Sequence, residues 1–281
     1  MTTNPRCVFL PCQGAALLLA AALASVAGLA AARAGSPVPA PVTTGYLQGS
    51  AVPDSLALSP SPPAARSATA AVDEAVAAQA LALRGSARFQ QARLDAAVDF
   101  PEGADQFSCA LGISVDATRT PALHRLLERS LIDASASTKA AKARYQRARP
   151  FMVNGEPTCT PEEEQALRGS GSYPSGHTAI GWAWALILAE AAPERATALL
   201  ERGHSYGQSR LVCNVHWYSD VQEGRTLAAA TVAQLHGNAE FRADLDAARH
   251  EIARARADGA RPARDCGAET TALQTRLSEA R

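Results

Sequence analysis

The sequence predicts an all-α protein built as a single compact multi-helix domain. Three observations carry that prediction. Alanine is abundant along the whole chain while aromatic residues make up only 5%, a balance that favours packed helices over sheets. Apolar residues recur at helical spacing in stretches bounded by cap residues and prolines. No run of alternating β-branched residues reads as a strand.

Taken in order, residues 1–34 read as a secretory signal peptide. Arg6 gives the basic start, 15–32 is an apolar run, and Ala32-Arg33-Ala34 is a small-x-small cleavage site. The run is mostly alanine and is interrupted by Ser25 and Gly28, which makes it a weak membrane anchor. Residues 35–65, rich in Pro, Ser, Ala and Gly without periodicity, are expected to be a mobile leader. The domain is placed at 66–259. Its helices are expected at 68–83, 87–98 and 121–147, with Thr120 as N-cap, Pro121 at the first helical position and Pro150 as terminator. A loop holding Cys159 follows, then helices at 175–191, 193–212, 217–236 and 239–257. Residues 260–281 are left as a tail.

Composition excludes some functions. With 47% hydrophobic and 19% charged residues, the chain can bury a proper core. Its net charge of +0 offers no basic field for nucleic acid. Removing residues 1–34 takes away Arg6 and Arg33 and no acid, so the exported chain would be slightly acidic and without a membrane partner. The cut also removes Cys7 and Cys12, leaving Cys109, Cys159, Cys213 and Cys266. Four cysteines in an exported chain suggest two disulfides, with three connectivities open. No cluster of carboxylates, histidines or cysteines has metal-ligand spacing, so neither metal nor cofactor is expected.

Three segments carry chemistry. Lys142 and Arg149 are seven residues apart, two turns if the helix continues, and so could project from one face. A solvated basic face is the plain alternative, since Lys139, Arg144 and Arg147 lie nearby. But lysine occurs only at 139 and 142, while arginine fills generic positions. Pro174-Ser175-Gly176-His177 opens a helix: Ser175 suits the N-cap, the first N–H groups can face an anion, and Gly176 allows close approach. Finally, Ser209-Arg210 precedes His216 and Asp220, which are spaced i, i+4. The carboxylate can take a hydrogen bond from one imidazole nitrogen and leave the other as a nucleophile. Arg210 supplies a planar fork suited to phosphate oxygens.

Together, Lys142, Arg149-Pro150, Pro174 to His177, Ser209-Arg210, His216 and Asp220 resemble the tripartite signature of the type 2 phosphatidic acid phosphatase (PAP2) superfamily in order and spacing, with no departure at any signature position. That superfamily includes bacterial acid phosphatases, membrane lipid phosphatases and vanadium haloperoxidases. Gly171-Ser172-Tyr173, Gly207-Gln208 and residues 181–190 and 233–236 are similar to the class A bacterial non-specific acid phosphatases, and the resemblance covers about 87–257. It implies a periplasmic or secreted, metal-independent hydrolase of small phosphate monoesters that can form homo-oligomers. His216 would be the nucleophile, Asp220 its orienting partner and His177 the general acid and base. Lys142, Arg149, Ser175, Gly176 and Arg210 would hold phosphate. Within that coverage, Cys159 and Cys213 form one expected pair, and Cys109 and Cys266, toward its margins, the other. A vanadium haloperoxidase, or a phosphate-binding module without turnover, are the alternatives.

Overall fold

The computed structural model describes residues 43–277, and among these every regular element is helical. The expected signal peptide lies outside the described residues. In chain order the helices are α1 (Ser55–Leu58), α2 (Ala68–Leu81), α3 (Ala87–Leu94), α4 (Ser108–Leu111), α5 (Pro121–Ser137), α6 (Lys139–Tyr145), α7 (Pro150–Asn154), α8 (Glu164–Arg168), α9 (Gly176–Ala191), α10 (Ala196–Val212), α11 (Tyr218–Leu235), α12 (Ala239–Ala257) and α13 (Cys266–Leu273). Short polar side chains start several of them. Ser67, Ser86, Ser175 and Asn238 each accept an N–H from the first turn, satisfying a donor that the helix itself leaves free.

Helix α9 forms the centre of the fold. It is apolar nearly all round, as a buried helix must be, with Ala183, Trp184, Ile187 and Leu188 fully buried. Trp184 donates its indole N–H to the Leu127 carbonyl of α5 at 2.9 Å, so the largest core side chain also fixes that helix. Against α10 and α11 the approach is closer than side chains normally permit. A Cβ on Gly181 would lie 2.2 Å from the Tyr206 ring of α10, and one on Gly224 of α11 would lie 2.6 Å from the Ser175 carbonyl. Glycine at these two positions lets the three helices that carry most of the signature pack with their functional ends together.

Four expectations are corrected. The helix placed at 121–147 is two helices, broken at Thr138, and it ends in a left-handed turn at Gln146 with φ 44°. Pro150 starts a helix instead of ending one. It occupies the first position of α7, where its missing N–H costs nothing, while Arg149 takes the extended conformation that proline imposes on its predecessor.

The leader is not mobile where it is described. Tyr46 and Leu47 are buried, and their N–H groups donate to the buried Asp133 carboxylate at 2.8 and 2.9 Å. Tyr46 stacks edge-on against Phe241 and lies under Arg129. Composition hid this because a few anchors suffice: burying a large apolar side chain contributes about 1.5–3 kcal/mol.

The tail also belongs to the domain. The disulfides are Cys159–Cys213 and Cys109–Cys266, and the second ties α13 to α4. Its Glu269 is 5% exposed and pairs with Arg202 of α10 at 3.2 Å, and Leu277 packs into the smaller hydrophobic cluster beside Val212 and Val221.

Candidate active site

The signature side chains converge from separate helix ends and loops. Ser175 caps α9: its hydroxyl accepts from the Thr178 N–H at 3.3 Å, and its own N–H donates to the Asp220 carbonyl at 2.9 Å. The Gly176 and His177 amides that follow open the helix without an intrahelical acceptor. Lys142 reaches this point from the last turn of α6. Its Cε would lie 3.7 Å from a Cβ on Gly176, and its Nζ donates to the Gly171 carbonyl at 2.8 Å. Burial, followed by the neighbouring Arg149, lowers the Lys142 ammonium to about 7.

Lys142 and Arg149 therefore meet, but not as two turns of one helix. The left-handed turn at Gln146 and the extended Arg149 reverse the chain between them. Arg149 is 3% exposed, and its Nε donates to the carbonyls of Leu167 and Ser170, each at 3.1 Å. Its Nη1 donates to the Val215 carbonyl at 3.0 Å and lies 3.2 Å from His216 Nε2. Burial, then Arg210, pulls this guanidinium down to about 10.

His216 lies in the loop before α11, not within a helix, and the expectation of a helical i, i+4 pair is corrected accordingly. Asp220, fully buried in the first turn of α11, accepts the Trp217 N–H at 2.8 Å and stands 3.3 Å from His216 Nδ1. Because a guanidinium can only donate, Arg149 identifies Nε2 as the acceptor, which leaves the proton on Nδ1 facing Asp220. Burial lowers His216 well below its ordinary value, and Arg149, Lys142 and Arg210 add to the effect. The ring is thus a neutral imidazole with its Nε2 lone pair on the cationic side.

His177 stands at the edge of this group and donates Nε2–H to the Ala96 carbonyl at 3.1 Å. It too is held well below its ordinary value, by burial and then by Arg210 and His216. Arg210 is 1% exposed, and its Nε and Nη1 have no hydrogen-bond partner among the described residues. A buried guanidinium with idle donors is costly, and an anion would relieve it. Among the described residues no group of three or more His, Cys, Asp and Glu is placed to hold a metal, and no helix is long and apolar enough to cross a membrane.

Two supporting sets went unread in the sequence. Arg147, in sequence one of several clustered basic residues, bridges Asp220 and Asp73 at 2.7 Å each. Behind Arg210, Ser209 donates to Asp95 and accepts from Arg88 at 2.9 Å, while Arg202 pairs with Asp95 at 2.5 Å. The available signal was weak: Asp73 is an acid in a helix otherwise dominated by alanine, and nothing local marks Asp95.

Known proteins are similar to this chain over much of its length. Residues 127–240 match the PAP2 superfamily. A non-specific acid phosphatase of Providencia stuartii is 40% identical over 240 residues, covering 85% of this chain and 97% of that protein. The chain belongs to the PAP2 superfamily. Within it, an acid phosphatase of Zymomonas mobilis is 40% identical over 201 residues, covering 72% of this chain and 76% of that protein. The non-specific acid phosphatase of Salmonella typhimurium is 42% identical over 172 residues, covering 61% of this chain and 69% of that protein. The PAP2 match takes in Lys142 through Asp220, so each signature residue described above lies inside it.

Proposed function

We propose that this PAP2 member is an exported acid phosphatase that hydrolyses phosphate monoesters through a phosphohistidine on His216, without a metal ion. The observation that carries the reading is Arg210, buried with idle donors beside a neutral His216 whose lone pair faces the cations. A phosphoryl group entering there would take hydrogen bonds from Arg210, Arg149, Lys142 and the Gly176 and His177 amides. In doing so it draws Arg149 off His216 Nε2. That nitrogen attacks phosphorus as the ester P–O bond breaks, and Asp220 stabilises the imidazolium that forms. His177, once protonated, gives its proton to the departing alkoxide. It then removes one from the water that hydrolyses the phosphohistidine, releasing inorganic phosphate. The cations that depress His177 are offset by the bound dianion, so substrate favours its protonation, and acidic medium favours it further. Two disulfides support an oxidising compartment, and cleavage after Ala34 would leave Gly35 as the first residue of a periplasmic or secreted enzyme.

The test is acid-labile, base-stable radiolabel trapped after quenching with labelled nitrophenyl phosphate. His216→Ala should carry none. His177→Ala should still be labelled, because nitrophenolate leaves without a proton, and should lose label slowly, with turnover reduced by ~10²–10⁴-fold. Parent activity should survive EDTA. Label on His216→Ala would discard the assignment, and loss of activity in EDTA restored by a divalent ion would discard metal independence.

A further inference from the structure

Beside the phosphate cage lies a cleft of about 460 Å³ whose walls include Ala96, Val98, Asp99, Glu102, Glu163 and Leu167, with His177 among its lining residues. Continuity with the cage gives the cleft its meaning. The Ala96 carbonyl accepts from His177, and the Leu167 carbonyl accepts from Arg149, so two wall residues hold two cage side chains. Glu163 is also close enough to Arg210 for its charge to act on that buried, partly unpartnered guanidinium. An ester with its phosphoryl group in the cage and its bridging oxygen at His177 has its alcohol next to this cleft, because His177 is one of its lining residues.

The chemistry of the walls is one-sided. They present three carboxylates, small aliphatic side chains and no lysine, arginine, phenylalanine, tyrosine or tryptophan. The nearest arginines on the same segments, Arg93 and Arg168, are paired with Glu162 and Glu164. Asp99, Glu102 and Glu163 are exposed. Glu163 is oriented by the Thr160 hydroxyl, which donates to it at 2.9 Å.

We infer that this cleft receives the leaving group and selects it by charge: it takes monoesters whose alcohol is neutral or cationic, and turns away esters whose alcohol carries a further negative charge. The inference rests on the phosphatase reading above and adds the substrate class. In water, one carboxylate about 6 Å from a unit charge changes its rate by about threefold. Two of the three within that range would separate a cationic from an anionic alcohol by about a hundredfold at low salt. Molar salt, with a screening length of about 3 Å, would collapse the difference.

Three esters of similar size test it: 2-aminoethyl phosphate, 2-hydroxyethyl phosphate and 2-phosphoglycolate. For the parent and for the combined Asp99→Asn, Glu102→Gln and Glu163→Gln variant, kcat/KM is measured at low and high salt. Each charged ester is expressed relative to the hydroxyethyl ester in the same protein. Any general effect of the substitutions then divides out, and the alcohols' intrinsic leaving abilities cancel between proteins. The aminoethyl ratio should fall and the phosphoglycolate ratio should rise in the variant, each by about tenfold at low salt, and both changes should shrink in high salt. Turnover of nitrophenyl phosphate with ratios unchanged by the substitutions would overturn the selection and leave the phosphatase reading intact. No turnover of any ester would overturn both.

Discussion

Replacing Lys142 by arginine should flatten the pH dependence of oxyanion binding. The Lys142 ammonium donates to the Gly171 and Ser172 carbonyls at 2.8 and 3.4 Å, and burial with Arg149 lowers it to about 7. A dianion in the cage supplies the missing counter-charge and restores the proton. The bound state therefore holds a proton that the free state loses above pH 7, so raising the pH opposes binding. With binding confined to the protonated form, the apparent dissociation constant scales as one plus the ratio of neutral to charged lysine. For a free value of about 7, that factor grows about tenfold between pH 6 and pH 8. His177 and His216 are depressed well below 6.5 in the free enzyme, and any proton that His177 takes up with the dianion adds the same slope to the parent and to a Lys142 variant, so the difference between the two proteins reports Lys142. Tungstate is a suitable probe because it stays a dianion over this range. Its inhibition constant against nitrophenyl phosphate should rise at least about tenfold in the parent. In Lys142→Arg, whose guanidinium keeps its charge, the rise should be about tenfold smaller than in the parent, whatever its absolute level. A flat parent profile, or equal slopes in the two proteins, would refute the assignment of this lysine.

Further outcomes follow from particular contacts. Asp220→Asn keeps the shape but offers an N–H to His216 Nδ1, which moves the imidazole proton onto Nε2. Its kcat should fall by ~10²–10⁴-fold, and a loss under tenfold contradicts that role. Gly181→Ala places a methyl 2.2 Å from the Tyr206 ring. Overpacking of about 1–3 kcal/mol outweighs the ~1 kcal/mol gain in helix propensity, so the melting temperature should drop by several degrees, and a rise would argue against the close crossing. Removing the Cys109–Cys266 link by a double serine replacement should cost about 2–5 kcal/mol and expose α13 to protease, whereas unchanged melting and proteolysis would mean that α13 is held without it.

The signature was legible because its chemistry depends on residue type and local spacing. Ser175 as N-cap, the Gly176 approach and the His216–Asp220 pairing needed no knowledge of distant contacts. Helices 68–83, 175–191 and 239–257 were legible for the same reason: caps and periodicity are local. The failures were of another kind. The break at Thr138 and the left-handed Gln146 carry no local cue such as proline or glycine, and the Gly171 backbone lies close against the turn at Gln146. Arg147 could not be told from its basic neighbours until Asp73 and Asp220 were brought to it from 74 and 73 residues away. The network of Arg88, Asp95 and Arg202 is likewise invisible in one dimension, since its meaning is the mutual neutralisation of buried charge.

The docking of residues 45–47 on Asp133 bears on where a recombinant chain should begin. A start at residue 66, where composition places the domain, would delete both N–H donors that Asp133 receives and uncover the edge of Phe241. Ser55, whose hydroxyl accepts the Ala141 N–H at 3.0 Å, would go as well, loosening the helix that presents Lys142. Cloning from residue 43 keeps this clasp whole, and an affinity tag placed upstream of it adds its length without touching the catalytic framework.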